Sequence, residues 1–598
     1  MTAVGRLRPG VTPASAQREL SAIAARIARD YPDDDAIGAY VVPLQDWIIG
    51  DVRPALWSML GAVAFVLLIA CANVANLLLV RAAARGPELA VRTALGAGRG
   101  AILRQLATES LTLSLAAAAV GTGIAAWLVD VVRAAGPRLP RLEQVAVDGR
   151  VLAFTVAVAL ATGLLFGLVP ALQLALPDAS RLLRQARWTT QHGGERLRST
   201  LTVLEVGLAV VLLVGFGLLG RSFERLTHVD PGFRPEHVIT FDAALDAHKY
   251  LYDAQQIAFA DQVTARLQAL PGTPSAAVAA RRPMDPDPSF DIYVPYTIQG
   301  DPPVMRGEGT VSAVFPVSPG FFRTMGMELR RGRFFTQAED RLDGPGAIVI
   351  NEALARRAFG SRDPLGKRIV FALSHTFGPG AADTARVQGE VVGIVRDVKL
   401  ASLAEEPAPS AYVPYRAFPL GATFVLRTQG DPAAALSRVR AAVSAVDPTA
   451  AVYELGTMEA ALGQTLEQPR FYTLLLGAFA AIALLLATVG IYAVMAYLVG
   501  QRTREFGIRM ALGATYREIA ALVLRRGAAL VGWGIALGVV AALLVTRSIE
   551  SLLFGIRPLD PPTFLAVIAV LGAAALAGLS LPARRATRVD PARAMQAE

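Results

Sequence analysis

The stretch "RTREFGIRMALGA", residues 502–514, repeats an earlier one, "RGPELAVRTALGA", residues 85–97. The two agree at seven of thirteen positions without a gap, 417 residues apart. Both lie between long apolar runs. Each carries a glutamate one helical turn before an arginine: Glu88 and Arg92 in the first copy, Glu505 and Arg509 in the second. Glutamate N-terminal to arginine at i, i+4 is the favourable order for an ion pair on one helix face. Ala94-Leu95 and Ala511-Leu512 continue a small apolar edge. Gly96 and Gly513, followed by Ala97 and Ala514, can supply the left-handed residue that stops a helix. The spacing predicts, in each copy, a short stiff helix across one face of a membrane, with one charged and one apolar edge. A connector between spans needs only charge and a stop. Two near-identical copies in matching places point to a shared task.

The membrane is implied by composition. The chain has 598 residues, 53% of them hydrophobic, with a mean hydropathy of +0.44, above the usual range of soluble domains. Apolar runs are long enough to cross about 30 Å of hydrocarbon at about 1.5 Å per residue. Seven spans are read, at 55–80, 106–132, 151–175, 201–220, 471–499, 520–546 and 563–583. The formal charge of +9 is nearly all arginine, with Lys249, Lys367 and Lys399 the three lysines. Such an excess belongs in cytoplasmic loops and does not imply nucleic acid. The segments 81–105 and 176–200 carry five arginines each, and 500–519 and 584–598 four each. Positive-inside bias places these four in the cytoplasm and 221–470 outside. Cys71, the single cysteine, excludes an intrachain disulfide and a cysteine-rich metal site.

A second anchor extends the repeat. "VPALQLALPDA" (169–179) aligns with "LPARRATRVDPA" around Pro170 and Pro582, and Asp178 falls on Asp590. Each three-helix block follows one plan, so the chain is a parallel duplication. The division read is a first three-helix block (55–175), a cytoplasmic linker (176–200), a single span (201–220), an outer domain (221–470) and a second block (471–598). Residues 1–54 have no span, and "TPASAQRELSAIAARIARDYP" reads as a helix with a proline stop. They are read as the last part of a first outer domain whose preceding helix is missing from this chain. The outer domain 221–470 alternates strands (237–245, 310–318, 346–351, 389–398, 422–428) with helices (253–270, 352–360, 431–446). Asn351 is a plausible N-cap. The fold class is therefore a membrane protein of α-helical bundles with an α+β extracytoplasmic domain.

Enzyme motifs are absent. "GSRDPLGKR" (360–368) has the wrong spacing for a phosphate loop and no hydroxyl after Lys367, and no H-E-x-x-H or G-x-S-x-G occurs. The five histidines, 192, 228, 237, 248 and 375, do not pair at ligand spacing. Three polar residues fall inside spans. Glu205 is read as snorkelling toward Arg196 or Arg198, against the alternative of a packing or relay group within the bundle. Asn73 and Asn76 are read as hydrogen-bonding between helices.

The strings "REFGIRMALGA", "LPARRATRVDPARAM" and "VSPGFFRTMGMELRRGRFF" resemble MacB/FtsX-type permeases of ATP-binding-cassette transporters. With "LLIACANVANLLLVRAAAR" (67–85) and "DGRVLAFTVAVALATGLLFGLVPAL" (148–172), the duplicated plan is most similar to the acidobacterial-type duplicated permeases. The resemblance implies a permease subunit of the mechanotransmission type in the inner membrane, with a MacB-like core domain in the periplasm and the C-terminus in the cytoplasm. It implies no cofactor in this chain, with ATP bound by separate cytoplasmic ATPase subunits. Residues Glu88, Arg92, Leu95, Gly96 and Ala97, and Glu505, Arg509, Leu512, Gly513 and Ala514, would form the two coupling loops on that ATPase. A periplasmic adaptor or envelope protein is a further partner. The alternative is a non-transporting regulator acting on a cell-wall hydrolase or sensor.

Overall fold

The computed structural model describes residues 4–30, 40–49, 53–84, 99–135, 145–175, 189–246, 248–285, 292–301, 311–341, 346–371 and 387–587. It divides into two compact units, Met1–Trp47 with Leu226–Glu467, and Ile48–Arg225 with Gln468–Glu598. The chain opens with α1 (Pro13–Asp30) and α2 (Leu44–Ile49), then α3 (Arg53–Ala84), α4 (Arg99–Ala135), α5 (Gly149–Ala175) and α6 (Thr189–Thr227).

The outer unit is built on eleven strands in one sheet: β1 (Val238–Ala244), β2 (Ser275–Ala279), β3 (Tyr293–Ile298), β4 (Val311–Val317), β5 (Leu329–Gly332), β6 (Gly346–Asn351), β7 (Arg368–Phe371), β8 (Val387–Val395), β9 (Ser410–Pro414), β10 (Thr423–Arg427) and β11 (Ala451–Thr457). Helices α7 (Asp253–Gln268), α8 (Phe321–Met325), α9 (Glu352–Phe359) and α10 (Leu436–Ser444) lie between them. The order is β11-β1-β10-β2-β4-β3-β7-β8-β6-β9, with β5 on β8. β4 also pairs with β9, in parallel, so β4, β3, β7, β8, β6 and β9 close into a ring.

Two cores follow from this layout. Ile239, Phe241, Phe424 and Leu426 of the open part pack with Phe259, Val263 and Leu267 of α7 and Val439 and Val443 of α10. Ile348, Ile350, Ile369, Phe371 and Val391 of the ring pack under Leu354 and Phe359 of α9. Asn351 caps α9: its Oδ1 accepts from Leu354 N and from Ser410 N, both at 2.9 Å, and its Nδ2 donates to Ala408 O at 2.8 Å.

The chain then runs from β11 straight into α11 (Met458–Gln501), followed by α12 (Thr503–Ala511), α13 (Tyr516–Val545) and α14 (Pro561–Thr587). Among the described residues six helices are long and apolar enough to cross a membrane: α3, α4, α6, α11, α13 with the 3-10 turn after it, and α14. α5 is 27 residues long, with an apolar described stretch at Gly149–Leu164. The helices run past the spans that hydropathy marks, two of them by the most. α6 covers 39 residues and α11 covers 44, where 201–220 and 471–499 are expected. Hydropathy marks only the stretch suited to hydrocarbon, whereas helical hydrogen bonding continues into polar flanks. α11 also runs through Pro469.

α6 forms the centre of the membrane unit. Val206, Ala209, Val210, Val214 and Leu218 are buried with Ala483, Ala487 and Ile491 of α11 and with Val531 of α13. The approach of α13 is close because its facing positions are glycine. A Cβ on Gly534 would stand 2.6 Å from Val206 Cβ, and one on Gly538 would stand 2.7 Å from Gly207 O. Small residues that let backbones touch are how helices pack where lipid supplies no hydrophobic drive.

Candidate functional site

The helix predicted from the second repeat is α12, nine residues long. Its inner face is anchored: Phe506 is 3% exposed within the bundle core, and Met510 and Ala514 pack against that core. On its outer face Arg509 Nη2 donates to Glu505 Oε1 at 2.6 Å, and Arg502 Nη1 lies 3.7 Å from Glu505 Oε2. The helix ends in a Schellman motif. Ala514 N donates to Arg509 O at 2.9 Å and Gly513 N to Met510 O at 3.1 Å, with Gly513 at φ +100°. The left-handed backbone explains the glycine.

α13 begins at once with a capping box. Thr515 N donates to Glu518 Oε2 at 2.9 Å, and Glu518 N donates to Thr515 Oγ1 at 3.4 Å. A short helix is marginal alone. Here it is held by a ring in the core, an ion pair, a stop and a restart. What this helix end displays is an apolar edge: Ile508 of α12 at 44% exposed, Leu512 at its C-cap at 83% and Tyr516, the first residue of α13, at 66%. Glu505 and Arg509 border it.

The first copy, with Glu88, Arg92, Leu95, Gly96 and Ala97, lies outside the described residues.

The intramembrane polar residues meet at one place. Glu205 of α6 is fully buried, Asn76 of α3 is 1% exposed and Asn73 of α3 is 7% exposed. Asn76 Nδ2 donates to Glu205 Oε1 at 3.2 Å. Asn73 Nδ2 donates to Leu486 O of α11 at 3.0 Å and to Ile69 O at 3.4 Å. Glu205 therefore does not reach toward Arg198, whose guanidinium lies 4.0 Å from the centre of the Tyr497 ring. The carboxyl group turns instead toward an amide donor on a neighbouring helix, because Gly490 leaves room for it there. A Cβ on Gly490 would run into Glu205 Oε2 and stand 2.9 Å from Asn73 Oδ1. Gly490, Phe506 and Tyr516 went unnoticed in the sequence. The signal for Gly490 was present in the repeat register, where it falls opposite Asn73 at the same 417-residue offset.

Family comparison divides the chain along the same lines. A MacB-like periplasmic core domain matches residues 199–451. An FtsX-like permease C-terminal domain matches twice, at 60–177 and at 477–591. The chain belongs to the MacB/FtsX-type permeases. It is a multi-pass membrane protein with a periplasmic domain. The pyoverdine export ATP-binding/permease protein PvdT of Pseudomonas entomophila is 32% identical over 287 residues, covering 45% of this chain and 40% of that protein. The macrolide export ATP-binding/permease protein MacB of Nitrosomonas europaea is 28% identical over 317 residues, 50% of this chain and 45% of that one. The permease thus spans less than half the length of these curated relatives. The periplasmic region of MacB from Actinobacillus actinomycetemcomitans is 13% identical, with a TM-score of 0.27, covering 41% of this chain and 98% of that one.

Proposed function

We propose that this permease couples ATP hydrolysis by separate cytoplasmic ATPase subunits to motion of its periplasmic domain, for efflux or envelope export across the inner membrane. ATP is bound by the partner, and the chain itself holds no cofactor. The observation that carries this reading is α12: a helix locked at both ends, bordered by its own ion pair, with Leu512 at its end and Tyr516 at the start of α13 left uncovered among the described residues. Exposed apolar residues rimmed by charge mark a protein contact. The first-copy loop, 88–97, would take the equivalent place on a second ATPase subunit. With α12 and the C-terminus in the cytoplasm, α6 and α11 carry displacement outward, since both helices run beyond the hydrocarbon span without a break.

The test is the double exchange Glu505→Arg with Arg509→Glu. It keeps an ion pair on the helix and inverts what a partner meets. Stimulation of the copurifying ATPase is expected to be abolished while membrane insertion is unchanged. Stimulation equal to that of the parent chain in reconstituted membranes removes the coupling assignment.

A further inference from the structure

We propose that Glu205 is a proton-binding site, with the proton on Oε2, clasping α6 to α3 and α11 at the join between the two repeats. The site is built. Glu205 is fully buried, and its one hydrogen-bond donor among the described residues is Asn76. Its second oxygen, Oε2, has no hydrogen-bond partner among the described residues, and neither has Asn76 Oδ1. A carboxylate has only lone pairs to offer. As an anion it would leave a charged oxygen enclosed with nothing to satisfy it, and a group so placed takes a proton instead. As an acid it gains a hydroxyl donor on the side where Asn73 Oδ1 also faces Gly490, the nitrogens of Asn73 and Asn76 being already committed. Binding forms one O–H bond at Oε2 and breaks one in a hydronium ion, which leaves as water; no other bond changes.

The surroundings favour a proton over a countercharge or a metal ion. The groups of α3 that face Glu205 are the two asparagines, and α11 presents the backbone of Gly490. α13 meets the adjoining face of α6 through Gly534 and Gly538. Two of the arginines on the bundle helices lie on rings: Arg198 over Tyr497, and Arg585 of α14 at 6.0 Å from the centre of the Tyr492 ring. A sodium or calcium ion needs an oxygen shell, about 6–8 ligands for calcium. Here the side-chain oxygens that meet at Gly490 are Glu205 Oε2 and Asn73 Oδ1, and the carboxyl is packed directly on that glycine.

The experiment uses the full chain in lipid nanodiscs. Infrared spectra of the parent and of Glu205→Gln are compared at neutral pH, together with thermal midpoints of both and of Glu205→Ala. Glutamine mimics the neutral acid, with one carbonyl and a donor in place of the hydroxyl. The expected result is a protonated-carboxyl stretching band that the glutamine variant loses, with its midpoint kept and that of the alanine variant lowered. Absence of the band in the parent overturns the proposal. So does a glutamine variant as unstable as the alanine one. A midpoint that rises when sodium replaces choline in the parent, but not in Glu205→Gln, overturns it in favour of a metal ion.

Discussion

Substituting alanine for glycine at two positions on α13 should change stability in opposite directions. At Gly532 a Cβ meets nothing within 4 Å. Alanine there gains helix propensity of about 0.8–1.0 kcal/mol over glycine. At Gly538 the same Cβ would stand 2.6 Å from Val210 Cβ, 2.7 Å from Gly207 O and 3.0 Å from Gly207 Cα. Ordinary contact begins near 3.4 Å, so α6 and α13 must separate by at least the largest shortfall, 0.8 Å at Val210 Cβ (3.4 less 2.6). Two of the three atoms are backbone, so no rotamer change relieves the overlap. Overpacking of this kind costs about 1–3 kcal/mol. A rigid backbone neighbour places Gly538→Ala toward the upper end, and the propensity gain offsets part of it. Gly538→Ala should then be destabilised by about 2 kcal/mol and Gly532→Ala stabilised by about 1 kcal/mol. Reversible unfolding in mixed detergent, following tryptophan emission, reads both. Equal stabilities for the two variants would refute the close crossing of α6 and α13 at Gly207.

Three further outcomes are expected. Phe506→Ala removes the ring that seats α12 in the core, a loss of about 3–5 kcal/mol for a fully buried phenylalanine; hydrogen exchange over 503–511 should rise sharply while the spans stay protected. Asn351→Ala deletes three hydrogen bonds at a residue 1% exposed, each of about 0.5–1.5 kcal/mol, so exchange at 346–360 should accelerate by well over tenfold. Glu339, bonded first to Arg333 and also to Thr336, is held at a pKa of about 2. A carboxyl depressed from its ordinary value of 4.5 adds stability that is full above that value and is lost as pH falls through about 2. The thermal-midpoint gap between the parent and Glu339→Gln should therefore be constant at neutral pH and close between pH 4.5 and 2; a gap that widens on acidification contradicts the assignment.

Much of the fold was legible because the chain repeats itself and because its strands that read clearly are β-branched. "HVITFDAAL" and "GAIVINEALARRAFG" announce β1, β6 and α9, and Asn351 caps as its position suggests. β2 passed unread because "SAAVA" is made of small residues with little strand preference, and its place is decided by pairing with β10. β3, β7 and β9 are short, and they exist because the ring closes around a shared core, while β5 is held by its pairing with β8. On α12 the charged pair and the stop could be read from spacing. The anchor Phe506 could not, since "EFGIRMALGA" does not say which side of the helix faces the bundle. Glu205 departs from its sequence reading for a related reason: sequence places arginines about two and two and a half turns away on its own helix, and a vacancy on another helix decides its direction.

That vacancy has a logic of its own. Asn73 Nδ2 donates to Ile69 O and to Leu486 O, and these two carbonyls are equivalent by the 417-residue register. Asn73 and Gly490 are equivalent too, and each lies against the other. α3 and α11 thus meet at matching positions, as around a local two-fold axis. Two identical chains around such an axis must place the same residue on both sides. Two asparagines would then compete for the space that Gly490 leaves open. A duplicated chain is free of that constraint, and this one departs from symmetry at the axis: Asn73 against Gly490, Asn76 against Ala493. The departure is what admits a single carboxyl group, from α6, into a place where symmetry would require two or none.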